Sequence, residues 1–201
     1  MALSSLLLPQ ADLLYDASFL LIAEAETLLH QLSAEATWEQ RAIRIFGQQI
    51  PQPRLTAWYG EPEARYTYSG LTWEPRPWTA TLQTLRQRVE AATGTPFNSV
   101  LLNLYRTGQD SMGWHADDEP ELGPMPAIAS LSLGATRRFR LRPRPGLTHP
   151  PLNLDLASGS LLLMRGPTQQ NWQHALPKTA RPVGPRLNLT FRWVHPISST
   201  G

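Results

Sequence analysis

The chain has 201 residues, a formal net charge of +2 and no cysteine. The length suits one domain. A hydrophobic fraction of 41% supplies a sizeable core and argues against a disordered chain. The lack of cysteine excludes a disulfide scaffold, a thiolate zinc site, an iron–sulfur cluster and a cysteine nucleophile, so any metal must bind to nitrogen and oxygen ligands. The sequence has no membrane-length apolar run and no secretory leader, so we expect a cytoplasmic protein with no membrane partner.

Charge is distributed unevenly along the chain. Residues 1–40 contain six acids and no lysine or arginine, whereas the rest contains all 18 basic residues, of which 17 are arginine. Arginine is the better planar, bidentate partner for phosphate and carboxylate groups. An anionic partner and an arginine-rich codon bias explain this composition equally well.

Two amphipathic helices are predicted in the first half of the chain. Residues 19–34 are rich in Ala, Leu and Glu and contain no internal Gly or Pro. In the second helix Pro77 suits the first turn, apolar residues recur at helical spacing after Trp78, and Gly94 supplies the end.

From Asn98 onward, Gly and Pro separate short runs that are typical of strands. Eight strands without intervening helices indicate a sandwich, a barrel or a jelly roll. Neither a repeat nor a low-complexity linker interrupts the chain, so we treat residues 1–201 as a single domain. The strands are expected near 98–105, 112–117, 127–133, 137–142, 152–156, 159–164, 171–175 and 186–194.

A candidate metal site begins with His115 and Asp117, which lie two residues apart in a predicted strand and therefore point to one face. An imidazole nitrogen and a carboxylate oxygen could hold one ion there. His174, 57 residues after Asp117, lies on another predicted strand. Two histidines and one carboxylate form the facial triad of non-haem iron(II) oxygenases, which leaves positions open for other ligands. Alone, a His-x-Asp pair is more often an ordinary surface pair.

A second pattern covers residues 186–193, where polar and apolar side chains alternate strictly. Arg186 and Arg192 share the polar face with Asn188 and Thr190. By pattern alone, an edge strand with a solvated polar face is the more frequent explanation. The alternative is that the two arginines, with Cα atoms about 20 Å apart, close around a small dicarboxylate beside a metal.

Two pairs of residues at strand spacing have both a structural and a functional explanation. Asn103 and Tyr105 share one face and could donate hydrogen bonds to an anion, although a half-buried strand is the simpler explanation. Tyr66 and Tyr68 suit sheet packing or stacking on a flat ring.

The acidic run at Asp117, Asp118 and Glu119 normally indicates a solvated turn. Near a pocket, the last two acids would favour a cationic or donor-rich substrate.

Five arginines occur within residues 137–144. Arg138, Arg140 and Arg142 fall on one face of the predicted strand. A stripe of like charge costs stability unless an anion lies against it. We prefer contact with phosphate to a solvated face as the explanation.

Taken together and in order, these motifs resemble the AlkB family of iron(II)- and 2-oxoglutarate-dependent nucleic-acid dealkylases, with the closest resemblance to its duplex-DNA repair branch. The resemblance spans about residues 38–194. The matching segments are Tyr66-Thr67-Tyr68-Ser69-Gly70-Leu71, Asn103-Leu104-Tyr105, His115-Ala116-Asp117-Asp118-Glu119, Ile128-Ala129-Ser130-Leu131-Ser132-Leu133-Gly134, Gly159-Ser160-Leu161-Leu162, His174-Ala175-Leu176-Pro177 and Pro185-Arg186-Leu187-Asn188-Leu189-Thr190-Phe191-Arg192.

The resemblance implies an α+β protein with a double-stranded β-helix, or jelly-roll, core and N-terminal helices packed outside, residues 1–37 being a helical extension. It also implies that Fe(II) binds to His115, Asp117 and His174, and that 2-oxoglutarate and O2 are used. Arg186 is expected at the distal carboxylate of 2-oxoglutarate and Arg192 near its keto-acid end. The full set of expected 2-oxoglutarate contacts is Asn103, Tyr105, Arg186, Asn188 and Arg192.

The activity that the resemblance implies is oxidative dealkylation of N-alkylated DNA bases such as 1-methyladenine and 3-methylcytosine. The reaction turns 2-oxoglutarate into succinate and CO2 and releases the alkyl carbon as an aldehyde. The base must leave the stack to reach the iron, and Phe46 is the expected apolar finger that fills the gap. The expected substrate contacts are Phe46, Tyr66, Tyr68, Asp118, Glu119, Arg138 and Arg140.

Alternatives stay open for the substrate and for the class of protein. The expected partner is alkylated DNA, single- or double-stranded, and the protein is expected to be a monomer. The same oxygenase chemistry could act on RNA, a protein or a small molecule. A non-catalytic module that binds alkylation damage is the alternative from a different class.

Overall fold

The computed structural model describes residues 3–45, 48–68 and 71–196. Two antiparallel sheets face each other and form the core of the molecule. Strands and helices are numbered in chain order. The larger sheet runs β1 (Ser4–Leu6), β2 (Asp12–Asp16), β13 (Leu161–Arg165), β10 (Ile128–Gly134), β15 (Arg186–Arg192), β8 (Ser99–Tyr105) and β5 (Leu55–Gly60). The smaller sheet runs β12 (Leu152–Leu156), β11 (Arg137–Pro143), β14 (Trp172–Leu176) and β9 (Met112–His115).

Two hairpins lie outside these sheets. Strands β3 (Ala42–Ile45) and β4 (Gln48–Pro51) form one, and β6 (Tyr66–Tyr68) and β7 (Leu71–Trp73) form the other. The facing sheets are the jelly-roll core that the sequence predicts.

Three α-helices and one short 3₁₀ turn complete the described chain: α1 (Ile22–Glu35), α2 (Ala80–Thr93), α3 (Thr168–Asn171) and the turn Pro120–Leu122. Thr79 caps α2 by accepting a hydrogen bond from the backbone N–H of Leu82, and Gly94 ends the helix in the left-handed conformation with φ of 66°. The helix therefore begins after Pro77 and not at it. Within the described ranges, no helix is long and apolar enough to cross a membrane.

Strand alternation divides the core into two layers. On β15, Leu187, Leu189 and Phe191 point to the layer under α1 and α2, so the other face of β15 points toward the smaller sheet. On β13, Leu162 and Met164 enter the layer between the sheets. Because side chains alternate along a strand, helix packing on one face leaves the opposite face of the larger sheet to line the interior.

The eight strands predicted after Asn98 are all present, with ends that differ by only a few residues. The expected helix at 19–34 is α1. The description of residues 1–37 as a helical extension is wrong, because β1 and β2 precede α1 and β2 pairs with β13 inside the larger sheet. The run that forms β2 is five residues long, and periodicity does not assign so short an apolar run reliably.

The edge-strand explanation for residues 186–193 is also wrong. Strand β15 pairs with β10 on one side and β8 on the other, and every residue of the strand is buried. Its polar face therefore points into the protein interior. The polar side chains of a buried strand need hydrogen-bond partners or a ligand. The polar residues of β15 find them at a cavity between the two sheets.

One stability prediction concerns Gly134, at the end of β10 opposite Arg186. Gly134 has φ of +83°, and an added Cβ would lie 2.4 Å from the carbonyl oxygen of Pro185. We expect Gly134→Ala to destabilise the protein by more than about 1 kcal/mol, measured by urea unfolding. Gly184→Ala is the control, because no atom lies within 4 Å of its Cβ position. Equal midpoints for the two variants would contradict this account.

Candidate active site

The structure brings His115, Asp117 and His174 to one point. Their ligand atoms all lie within 4.8 Å of one another. His115 ends β9, and the pairing of β9 with β14 places it directly opposite His174. Asp117 follows two residues later, with one carboxylate oxygen 3.7 Å from Nε2 of His174. Among the described residues, this is the one group of three or more His, Asp and Glu side chains arranged to hold a metal ion.

Both imidazoles are suited to act as neutral ligands. Burial lowers the pKa of His174 to about 3, and burial also lowers the pKa of His115. Nδ1 of His115 lies 2.9 Å from the carbonyl oxygen of Gly113 and can donate a hydrogen bond to it. That hydrogen bond would fix the tautomer and leave the lone pair of Nε2 for a metal.

The carboxylate of Asp117 is held by Arg192. Nη2 of Arg192 donates to Oδ1 at 2.6 Å, and both side chains are buried. Burial alone would raise the pKa of Asp117, but the positive charge of Arg192 and its hydrogen bond to the carboxylate help to outweigh burial, and the pKa is lowered to about 2. Asp117 is therefore ionised at neutral pH and keeps Oδ2 toward His174.

Gln169 holds the backbone of the same segment. Its Oε1 accepts a hydrogen bond from the N–H of Asp117 at 3.1 Å, and its side chain is almost fully buried in α3. The sequence analysis missed this residue, and a single glutamine in a four-residue helix gives no pattern that could reveal it.

A cavity extends from the three ligands between the two sheets, with about 490 Å³ of empty space that includes its opening to solvent. Arg186 lies on its wall, with Nη2 donating to Oγ of Ser132 at 2.9 Å and its guanidinium 5.5 Å from the ring centre of Tyr105. Its Nε is buried and has no hydrogen-bond partner in the described part of the chain. Burial lowers the pKa of Arg186 to about 10, so the side chain still carries a positive charge at neutral pH.

The other predicted 2-oxoglutarate contacts also line this cavity. Asn188 donates to Oγ of Ser130 at 2.8 Å, and Asn103 accepts from Nε of Arg54 at 2.9 Å. Arg54, Ser130 and Ser132 were missed from the sequence. The two serines alternate with apolar residues on β10, so the period of two could have found them, whereas Arg54 follows a proline-rich loop without any pattern.

The predicted DNA-contacting residues are not all brought together. Asp118 is exposed and forms an ion pair with Arg144, and neither Asp118 nor Glu119 lines the cavity. Tyr66 and Tyr68 lie on the hairpin of β6 and β7. Phe46 lies outside the described residues.

Arg138 and Arg140 project from the outer, solvent-exposed face of β11. Nε and Nη2 of Arg138 each lie 2.8 Å from an oxygen of Asp155. Arg142, on the same face, covers the ring of Trp114 at 4.3 Å.

The residues at the centre of the cavity fit an Fe(II) ion together with a dicarboxylate. Two neutral imidazoles and one carboxylate are the donors of a facial triad, which leaves coordination positions free toward the cavity. The buried Nε of Arg186 is a charged donor that a carboxylate would satisfy. This arrangement suits an iron ion with an acidic cosubstrate bound beside it.

Comparisons with known proteins agree with this geometry. The 2OG-Fe(II) oxygenase superfamily model matches residues 12–192. Alpha-ketoglutarate-dependent dioxygenase alkB homolog 3 of Homo sapiens is 47% identical over 190 residues, covering 89% of this chain and 64% of that protein. DNA oxidative demethylase ALKBH2 of Mus musculus is 43% identical over 183 residues, covering 87% of this chain and 77% of that protein. The solved structure of OsALKBH1 superposes with a TM-score of 0.69 at 16% identity, over 93% of this chain and 99% of that one, and supports the fold.

The chain therefore belongs to the 2OG-Fe(II) oxygenase superfamily. Within it, the similarity to alkB homolog 3 and ALKBH2 places the chain in the AlkB family, which confirms the family resemblance and the jelly-roll fold predicted from the sequence. The predicted use of Fe(II), 2-oxoglutarate and O2 agrees with this family. The chain spans about 64% of the length of the human relative.

Proposed function

We propose that this chain is an Fe(II)- and 2-oxoglutarate-dependent dioxygenase that removes alkyl groups from N-alkylated DNA bases. The observation that carries the proposal is the buried Asp117–Arg192 pair, at 2.6 Å, which holds a metal ligand beside a cavity with a second buried arginine. The 43% identical mouse relative is a DNA oxidative demethylase, and this supports the substrate class.

In the proposed reaction, His115, Asp117 and His174 would hold the iron, which would supply the oxidising chemistry that couples decarboxylation of 2-oxoglutarate to hydroxylation of the alkyl carbon. Arg186 binds and orients the distal carboxylate, because its charged donor lies deep in the cavity. Arg192 keeps Asp117 ionised, and we assign Arg192 to the keto-acid end of 2-oxoglutarate.

The walls of the cavity limit access of water to this chemistry. Leu101, Met112 and Phe139 line it together with Leu176. Phe139 also packs against His174, with ring centres 5.2 Å apart, and so restricts the orientation of that ligand.

The substrate base must leave the base stack of the nucleic acid to reach the metal site. A base methylated at its pairing edge pairs poorly and carries a positive charge, so flipping costs less than for an intact base. Asp118 and Glu119 directly follow the ligand Asp117 in the chain but do not line the cavity, so their contact with a cationic base stays a prediction. Phe46, Tyr66 and Tyr68 stay predicted base contacts.

The test is release of succinate and formaldehyde from an oligonucleotide that contains 1-methyladenine, with Fe(II), 2-oxoglutarate and ascorbate. We expect turnover by the natural protein and none by Asp117→Ala, since that substitution removes one of three ligands. Turnover no faster than that of Asp117→Ala would reject the proposal. Succinate release without formaldehyde from any oligonucleotide would identify an oxygenase with another substrate.

Comparing single-stranded DNA, duplex DNA and RNA that carry the same lesion separates the substrate alternatives. The 47% identical human relative is an alpha-ketoglutarate-dependent dioxygenase, and this supports catalysis over a damage-binding module. The assignment to the duplex-repair branch, the cytoplasmic location and the monomeric state stay predictions.

A further inference from the structure

The third metal ligand lies beyond the end of a strand. His115 and His174 belong to β9 and β14, and pairing of these strands holds their backbones opposite each other. Asp117 follows the end of β9 by two residues and belongs to no strand or helix. Sheet pairing therefore fixes two of the three ligands, and the position of Asp117 depends on other contacts.

The side chain and the backbone of Asp117 are held by different residues. Arg192 holds the carboxylate through Oδ1. The backbone N–H donates to Oε1 of Gln169 at 3.1 Å, a contact between residues 52 positions apart. Asp117 is only 3% exposed, so without Gln169 its N–H would lose its partner at a place that water reaches poorly.

The contact with Asp117 fixes the orientation of the Gln169 amide. A backbone N–H only donates, so the oxygen of the amide must face Asp117. The amide nitrogen faces Sδ of Met164 at 3.7 Å, and Met164 lines the cavity of the metal site. Because Gln169 is 1% exposed, its side chain is held between the ligand segment and the cavity wall.

The short helix that carries Gln169 is itself anchored. Oγ1 of Thr168 accepts a hydrogen bond from the N–H of Asp12, the first residue of β2, at 2.9 Å. At the other end of α3, Nδ2 of Asn171 donates to the carbonyl oxygen of Gln10 at 3.0 Å. Hydrogen bonds to β2 and to the turn before it therefore fix α3 at both ends.

Arg144 connects the same helix to the residue after the ligand. Its Nη2 donates to the carbonyl oxygen of Gln169 at 3.0 Å and also pairs with the carboxylate of Asp118. Its backbone N–H donates to the carbonyl oxygen of Asn171 at 2.8 Å. Asp117 and Asp118 are thus both held to α3, the first directly and the second through Arg144.

We propose that Gln169 is a positioning residue of the metal centre: it fixes the backbone of Asp117 so that the carboxylate stays aligned with the two imidazoles. This inference rests on the metal site of the proposed function and is independent of the nucleic-acid substrate. Hydrogen-bond partners of metal ligands orient those ligands, and loss of such a partner typically weakens metal binding roughly 10- to 100-fold.

The experiment titrates Mn(II) into the metal-free protein and measures free Mn(II) by electron paramagnetic resonance. Gln169→Met has a similar length and no strong acceptor for the N–H, so we expect roughly 10- to 100-fold weaker Mn(II) binding. Gln169→Glu keeps an acceptor oxygen, and we expect it to bind Mn(II) at least as tightly as the natural protein.

Comparing metal affinity with stability separates positioning from a purely structural role. The buried charge of Gln169→Glu should lower the urea midpoint of the metal-free protein more than Gln169→Met does. We therefore expect the less stable variant to be the tighter binder. If Mn(II) affinities instead followed the urea midpoints, Gln169 would only support folding and the proposal would be overturned.

Gln173→Met is the matched control. Gln173 directly precedes the ligand His174 but accepts hydrogen bonds from Arg142 on the outer face of the smaller sheet, so Mn(II) binding should not change. Unchanged Mn(II) affinity in Gln169→Met would contradict the proposal. So would a loss of affinity in Gln173→Met as large as that in Gln169→Met.

The same titration distinguishes failure of this inference from failure of the proposed function. A natural protein that binds Mn(II) but does not turn over a methylated oligonucleotide would reject the proposed activity alone, while the variants would still decide the role of Gln169. A natural protein that does not bind Mn(II) would overturn both.

Discussion

Replacing Arg186 by methionine should weaken 2-oxoglutarate binding by roughly 30- to 5,000-fold. The guanidinium is buried, and its Nε has no hydrogen-bond partner among the described residues. Truncating one partner of a buried, hydrogen-bonded charge pair costs about 2–5 kcal/mol, which corresponds to that range of affinities. The measurements are the KM for 2-oxoglutarate in turnover and the ligand-dependent shift of the urea midpoint, with Mn(II) in place of Fe(II).

The same substitution should not destabilise the protein in the absence of 2-oxoglutarate. Burying a cation without a carboxylate opposes folding, so methionine should unfold at the same or a higher urea concentration. Arg186→Lys should fall between the two, because it keeps the charge and loses the planar fork. If 2-oxoglutarate stabilised Arg186→Met as much as the natural protein, Arg186 would not be its carboxylate partner.

The period of two along the strands predicted much of the fold and of the site. Strand alternation in the sequence identifies His115 and Asp117, at i and i+2, and also the polar face of 186–192. What the pattern could not decide is whether that face is solvated or buried. Pairing of β15 on both sides decides it, and such long-range pairing is not encoded within the strand itself.

The residues that the sequence did not reveal act across long separations. Gln169 contacts the N–H of Asp117 from 52 positions away, and Arg54 contacts Asn103 from 49 positions away. Neither belongs to a periodic segment of its own. A sequence pattern identifies side chains that share a strand face. These contacts depend instead on how the tertiary fold brings distant segments together.

Strand β2 shows a second limit of predicting structure from sequence patterns. Leu13 enters the layer between the sheets, whereas Leu14 packs against the layer under the helices. A strand buried on both faces has no polar alternation to mark it. Its place in the larger sheet follows from its pairing with β13.

The buried pair of Asp117 and Arg192 should show large, non-additive effects on stability. Both side chains are about 95% buried, and Nη2 of Arg192 lies 2.6 Å from Oδ1 of Asp117. Removing one member leaves the other as an uncompensated buried charge, which costs about 3–5 kcal/mol. We therefore expect Asp117→Asn and Arg192→Met each to destabilise the metal-free protein by about this amount, measured by urea unfolding.

The double variant Asp117→Asn/Arg192→Met should lose less than the sum of the two, because it contains no unpaired charge, with a coupling energy above about 1 kcal/mol. Metal addition separates the two roles of Asp117. Mn(II) should stabilise the natural protein and Arg192→Met, which keep all three ligands, and should leave Asp117→Asn unchanged. Strict additivity would show that the pair is not coupled, and stabilisation of Asp117→Asn by Mn(II) would show that Asp117 is not a ligand. The carboxylate connects folding and metal binding, since the charge that Arg192 neutralises in the metal-free protein is the one that an Fe(II) ion would share.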